Sequence, residues 1–475
     1  MLNKTKVIAT IGPASKSRSM LRKLITVGMN VARINFSHGD YEEHRDVILT
    51  IRDLSKEMNR PVAILVDLQG PKIRTSRLKN GKPVLLKKNE TIQITTRDVE
   101  GTEKLIGTVY KDLVKDVKQG DKILIDDGLI ELRVLSKDKD TVTCRIIHGG
   151  LLKEHKGINL PGVKISAPSL TEKDKEDLLF GLKMEVDYFA LSFVRTAKDI
   201  RTIKSIIAKE SPLNIPVIAK IEKPEAVTNL DKILELADGL MVARGDLGVE
   251  LRPELVPAIQ KEIISKSVLA NKPVITATQM LESMTENPIP TRAEASDVAN
   301  AIYDGTDAVM LSGETAVGKY PVKAVRMMVR IAAETEKSPF MRYNIHYNKD
   351  PQSLIPHAIA QSAVNALHEV GAKAILAFSV SGSTSKLISK QRPSALIYSF
   401  SPSERVYNKL ALVWGVHPLL IPPINDTKGI IVAGEKIAID KKAVKNGDLV
   451  ILVTGLALKQ GSTNIVKIHR VGHLD

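Results

Sequence analysis

A single cysteine, Cys144, occurs in the 475 residues, so no intrachain disulfide can form and a reducing compartment fits. No apolar run reaches the roughly 18 residues of a membrane-spanning helix, so no membrane partner is expected. The opening stretch MLNKTKVIATIGPAS passes directly into a strand-like run. It lacks the basic, apolar and small-residue regions of a signal peptide, and a cytoplasmic location is expected. Aromatic residues make up only 4% and no Arg/Lys tail is present, which leaves few stacking platforms for single-stranded nucleic acid. Neither GxxxxGK[ST] nor GxGxxG occurs, so a nucleotide would have to bind in another manner.

What is present is a basic, core-rich chain. Lys and Arg number 69 against 54 Asp and Glu, a net charge of +15, with the basic residues scattered as single lysines on amphipathic segments. That is either a solvated lysine-rich surface or an attraction for small polyanions; specific nucleic-acid binding is not expected. Hydrophobic residues at 43% supply a large core, and the length predicts two to four domains.

A short apolar run followed by a helical pattern recurs along the chain. The strand-like runs are Lys6–Gly12, Val31–Ser37, Pro61–Gly70, Tyr188–Val194, Pro216–Glu222, Gly239–Gly245, Lys272–Thr278 and Ala308–Gly313. Continuous apolar strands alternating with helices indicate a parallel sheet covered by helices, and eight of them favour a closed (β/α)8 barrel. The third and fourth runs begin 127 residues apart, while the other gaps are 23 to 36. The intervening segment, 71–170, changes to alternating β patterns with an Asp127-Gly128 hairpin signal. It reads as a small inserted β-barrel domain, hinged over the mouth as a lid. The expected α/β fold is therefore a barrel from 1–70 and 171–340, the insertion at 71–170, and a C-terminal α/β domain from 341–475. The polar stretch RYNIHYNKDPQS marks the last boundary.

In such barrels the chemistry gathers at the C-terminal ends of the strands. Those ends carry Arg33, Asn35, Ser37 and His38; Asp67, with Lys72 and Arg74 beyond; Lys220 and Glu222; Arg244, Gly245 and Asp246; Thr278; and Ser312, Gly313 and Glu314. Charges set in apolar strands are costly unless paired or bound to metal. Glu222 and Asp246 on adjacent strands suit Mg²⁺, with Mn²⁺ as the alternative ion. A structural Lys220–Glu222 ion pair is the competing reading, since side chains two apart on a strand face the same way. Arg33, Arg74 and Thr278 converging on the same rim favour a transferring phosphoryl group, centred on Lys220, Glu222 and Asp246.

The stretches ATIGP, ARINFSHG, GPKIRT, AKIEKPEA, ARGDLGVE, ATQMLESM, PTRAEASDVANA and LSGETAVGKYP, in that order across the chain, resemble pyruvate kinases. The resemblance implies phosphate transfer from phosphoenolpyruvate to ADP, giving pyruvate and ATP, in a cytoplasmic homotetramer. It implies that Lys220 stabilises the phosphoryl group in flight, that Glu222 and Asp246 bind Mg²⁺, and that Arg33 clamps the substrate phosphate. Gly245, Asp246 and Thr278 would hold the substrate carboxylate. Arg74, Lys156, Asn35 and His38 would face the nucleotide, His38 being equally readable as scaffold. Thr278 and Ser312 are the candidates for passing a proton, through water, to the enolate carbon. Cys144 reads as packing.

The sequence departs from the commoner family pattern at the potassium site. Many members bind K⁺ at positions matching Asn35, Ser37, Asp67 and the Leu68 carbonyl and read DTKGPE, where this chain reads DLQGPK. Lys72 replaces the glutamate, and a fixed ammonium there would supply the charge of K⁺, so resemblance to the potassium-independent branch implies no K⁺ requirement. In the last domain Ser379, Ser381, Gly382, Ser383 and Thr384 lie between a strand and a helix. They make either a cradle for a phosphorylated allosteric effector, as the resemblance implies, or a plain polar cap. Ending at Asp475, the sequence is expected to lack the extra C-terminal domain of some bacterial members. The rival readings are a Mg²⁺-dependent lyase or mutase on a related keto acid, and a nucleic-acid binder drawn by the positive charge.

Overall fold

The computed structural model describes residues 3–341, 354–424, 426–455 and 463–473. The polar stretch 342–353, read above as a domain boundary, lies outside them. Eight parallel strands close into a barrel: Lys6–Ile11, Val31–Asn35, Ala63–Asp67, Tyr188–Leu191, Val217–Ile221, Gly239–Ala243, Val274–Ala277 and Ala308–Leu311. The ring closes where the first strand pairs with both the second (Ile8 beside Val31) and the eighth (Lys6 beside Ala308). These strands carry almost no polar alternation because both faces are covered. Ile8, Leu65, Ile218, Met241, Ile275 and Met310 fill the barrel, and the alternate residues pack outward against helices.

The helices form for local reasons. Tyr41–Glu57 starts at Asp40, whose carboxylate accepts from the Glu43 N–H, and buries Val47, Ile48, Ile51 and Leu54 on one face. Arg292–Tyr303 starts with a reciprocal capping box between Thr291 and Glu294.

Between the third and fourth barrel strands the inserted segment builds its own core, from Ile73 to Val163. Six strands pair in the order Ile158–Asn159, Lys122–Ile125, Ile130–Lys137, Thr141–His148, Thr91–Thr95 and Leu105–Gly107. The two edges are joined by a segment that is not itself a regular strand. Arg74 bridges to Gly157 on one side and Thr75 to Thr108 on the other. Backbone bonds from Ile158 N to Ile73 O and from Ser76 N to Gly107 O complete the small barrel.

The last domain is a five-stranded sheet in the order Val416–Leu420, Leu396–Ser401, Ala374–Phe378, Leu449–Gly455 and Thr463–Arg470, the final strand antiparallel. It docks on the end of the barrel where the strands begin. Lys390 and Arg392 pair with Asp307 at 2.7 and 3.2 Å, and the Lys6 ammonium donates to the Val416 carbonyl at 2.6 Å. The opposite end, where the strands finish, is left to the inserted domain and the site.

Candidate active site

The strand ends bring five charged groups into one cluster. Arg33, on the second strand, pairs with Asp67 at the end of the third at 2.7 Å. Lys220, on the fifth, lies 3.2 Å from Asp67 and 2.9 Å from Glu222 and donates to the Ser192 hydroxyl at 2.7 Å. The ion pair between Lys220 and Glu222 is thus real, but it is one edge of a network. Asp246 stands in the first turn of the helix Arg244–Glu250, rather than on the sixth strand itself.

The electrostatics follow from burial and pairing. Lys220 is buried, which alone would depress its ammonium, but the carboxylates of Asp67 and Glu222 outweigh burial and hold it well above the ordinary lysine value. Asp67 is held below the usual carboxylate range: burial works against this, and Lys220 and Arg33 outweigh it. Burial pushes Glu222 up, Lys220 opposes, and the negative charge of Asp246 adds to the rise. Two cations against three carboxylates leave the cluster with one negative charge over. A divalent cation between Glu222 and Asp246 would relieve their repulsion and reverse that sign. Among the described residues no group of three or more His, Cys, Asp or Glu is arranged to hold a metal. A cation here would therefore find two carboxylates and complete its shell with substrate oxygens and water, which suits Mg²⁺.

Backbone geometry shapes the floor. Thr278 has φ of +64° and Gln279 +53°. The Thr278 hydroxyl accepts from the Gly245 N–H at 2.7 Å and donates to the Ala277 carbonyl at 2.6 Å. Arg244 is turned away from the mouth: it donates to the Thr278 and Gln279 carbonyls and pairs with Asp297 at 2.7 Å. At the end of the eighth strand, Glu314 accepts from the Ser312 N–H at 2.6 Å, and the buried Ser312 hydroxyl has no partner among the described residues.

The second rim comes from the loop after the second strand and from the inserted domain. The Asn35 side chain accepts from the Ser37 N–H at 3.1 Å. Partial desolvation, then the cations Arg74, Lys72 and Arg33, hold His38 below its ordinary value, so all three reach the same loop. Arg74 donates to the His155 carbonyl at 3.2 Å, and Lys156 pairs with Asp126 at 2.8 Å within the inserted domain. Lys72 makes no ion pair among the described residues; its stem crosses Gly157, where a Cβ would lie 3.6 Å from Lys72 Cε.

Far from this cluster, the Ser379–Thr384 loop is bonded to itself. Gly382 N–H donates to Ser379 at 3.0 Å, Ser381 and Ser383 hydroxyls lie 3.0 Å apart, and buried Thr384 bonds Thr463 at 2.5 Å. Cys144 is fully buried, its thiol pushed up to about 12 by desolvation.

Ser192 and Phe193 were not singled out from the sequence. Ser192 bonds the Lys220 ammonium, and the Phe193 N–H donates to Glu222 at 2.9 Å. Their signal was available: YFALSFV ends the fourth strand, and the strand-end rule applied to six of the others would have found Ser192.

Comparison with known proteins converges on one family. Residues 2–325 match the family described as pyruvate kinase, barrel domain, and residues 357–469 match pyruvate kinase, alpha/beta domain. A pyruvate kinase of Geobacillus stearothermophilus is 48% identical over 478 residues, covering 100% of this chain and 81% of that protein. One of Staphylococcus aureus is 48% identical over 475 residues, covering 99% of this chain and 81% of that protein. Among solved structures, a pyruvate kinase from Cryptosporidium parvum superposes with a TM-score of 0.89 at 39% identity, over 99% of this chain and 96% of that one.

Proposed function

The chain belongs to the pyruvate kinase family, and from that premise we propose how its own residues carry the reaction. The reaction moves the phosphoryl group of phosphoenolpyruvate to ADP. The bond from phosphorus to the enol oxygen breaks, a bond to a β-phosphate oxygen of ADP forms, and the enolate takes a proton at carbon to give pyruvate.

The observation that carries the reading is the position of Lys220 between Asp67 and Glu222, at 3.2 and 2.9 Å. Those carboxylates keep the ammonium charged in a site that would otherwise strip it, so a fixed cation meets the phosphoryl oxygens as charge redistributes over them. Arg33, aligned by Asp67, clamps the substrate phosphate. The Gly245–Asp246 backbone and Thr278 receive the substrate carboxylate, glycine allowing close approach. Glu222 and Asp246 would hold Mg²⁺, which when bound would neutralise phosphate charge. Arg74, Lys156, Asn35 and His38 face the nucleotide. The Ser312 hydroxyl, buried without a partner among the described residues, passes a proton through water, and Thr278, just past the end of the seventh strand, is the second candidate. The same reading takes the chain as a cytoplasmic homotetramer with an effector phosphate at Ser379–Thr384; a sedimentation mass of a single chain would contradict the tetramer.

Potassium is the point at which this chain departs from many relatives. Asp67 is already neutralised by Arg33 and Lys220, so a monovalent cation would compete with two fixed ones. Lys72 adds charge to the rim through its field at His38 rather than through a bond to Asp67. ADP-dependent pyruvate formation with Mg²⁺ in tetramethylammonium buffer is expected to run at the same rate with and without KCl, and Lys72→Glu to make it potassium-dependent. A wild-type rate that collapses without K⁺ refutes the assignment of Lys72.

A further inference from the structure

The helix that carries Asp246 has a second polar end, which the phosphoryl chemistry does not use. Glu250, its last residue, is buried. One carboxylate oxygen, Oε1, accepts from the Lys223 ammonium at 2.5 Å and from the Asn159 amide at 2.8 Å. Lys223 directly follows Glu222, and its ammonium also lies 5.7 Å from the ring centroid of Phe193, whose N–H orients Glu222. Asn159 belongs to the inserted domain, on the two-residue strand Ile158–Asn159 paired with Leu124 and Ile125. A second point of contact lies beside it: a Cβ on Gly128, in the hairpin turn of the inserted domain, would sit 4.0 Å from Val249 Cγ1.

One short helix thus holds Gly245 and Asp246 in its first turn and seats the inserted domain with its last. The loop after the fifth strand is tied to that helix by Lys223. A buried ion pair of this kind contributes little net stability over an apolar pair of the same shape, so its stability does not account for it. A hydrogen bond from a neutral amide to a carboxylate held in place by a lysine is strong enough to bias a lid and weak enough to break at each turnover.

We propose that Lys223 and Glu250 form a positioning clamp that fixes the loops bearing Glu222 and Asp246, and that Glu250 is the catch on which Asn159 closes the inserted domain over the nucleotide. The proposal rests on reading the inserted domain as a cover of the site that carries Arg74 and Lys156. Closure thereby registers the nucleotide-side cations against the helix that carries Asp246. These residues touch neither substrate in this account; they act through Glu222, Asp246 and the lid.

Asn159→Leu removes the catch and leaves the Lys223–Glu250 pair whole. The expected result is a KM for ADP raised about tenfold, which is about 1.4 kcal/mol, with the KM for phosphoenolpyruvate unchanged. Hydrogen exchange of 71–170 in the presence of Mg²⁺ and ADP should be faster, with the melting temperature retained. Asn159→Gln, which keeps the amide donor, should restore part of both effects. Because Glu250→Gln alone strands a buried ammonium, the clamp is tested with the paired variant Lys223→Met, Glu250→Leu. It should fold and show the same exchange and KM changes, and it should need several times more Mg²⁺ for half-maximal rate. An unchanged KM for ADP or unchanged exchange in Asn159→Leu overturns the catch, and an unchanged Mg²⁺ requirement in the paired variant overturns the clamp. Loss of ADP-dependent turnover in the wild type itself would instead overturn the reaction assigned to the chain, so the two failures are distinguishable.

Discussion

Thr278 is a β-branched residue held at φ +64°, a conformation that costs such a residue on the order of 1–3 kcal/mol and persists only where neighbours impose it. Here three bonds impose it: Gly245 N–H to its hydroxyl, its hydroxyl to Ala277, and Arg244 to its carbonyl. The strain sets the hydroxyl beside the Gly245–Asp246 turn, where the substrate carboxylate is assigned. Thr278→Ala keeps the strained turn and leaves the Gly245 N–H without its acceptor, so kcat/KM should fall on the order of 10²-fold. Thr278→Ser should recover most of that loss. A coupled pyruvate assay decides it, and wild-type rates for Thr278→Ala would show that the hydroxyl is idle.

The elements were legible to the extent that their burial was one-sided or complete. All eight barrel strands were readable because each is a near-continuous apolar run, and the Thr291–Glu294 capping box announces its helix in four residues. That box is reinforced in space, since Glu294 also accepts from the Ser283 N–H at 2.7 Å. Thr291→Ala should therefore cost about 1 kcal/mol, read as a shift in urea midpoint, and no shift would mean that the box is decorative. The C-terminal domain was harder. Helix Glu404–Lys409 is too short for a period, strand Val416–Leu420 is interrupted by Pro418, and helix Thr427–Asp440 includes Gly429, Gly434 and β-branched residues that favour other states. The Ile73–Ser76 segment that closes the inserted barrel has no alternation to betray it, because it joins the barrel through isolated bridges. In the site, charged strand ends could be read one by one. The sharing of Asp67 by Arg33 and Lys220, and the support from Ser192 and Phe193, depend on distances between strands that sequence does not hold.

At the scale of the whole molecule, catalytic and docking ends are opposite faces of one barrel, and the docking end has its own pH dependence. Burial holds Lys6 and Lys390, both at the contact between barrel and C-terminal domain, down to about 8. Folded chains release these protons near pH 8, while unfolded chains keep them to about 10.4, so the unfolded state binds more protons in between. Stability contributed by these groups is flat below pH 8 and rises with pH from there to about 10. The urea midpoint of Lys390→Met should therefore gain less than the wild type between pH 8 and 9.5; equal gains would contradict the assignment. The face that does the chemistry is tested most directly at Lys220, with Lys220→Met assayed for ADP-dependent pyruvate formation at saturating Mg²⁺. The prediction is a kcat lowered by about 10²–10³-fold with the melting temperature retained, the loss expected when one preorganised charge is removed from a phosphoryl-transfer site. An undiminished kcat would contradict the account.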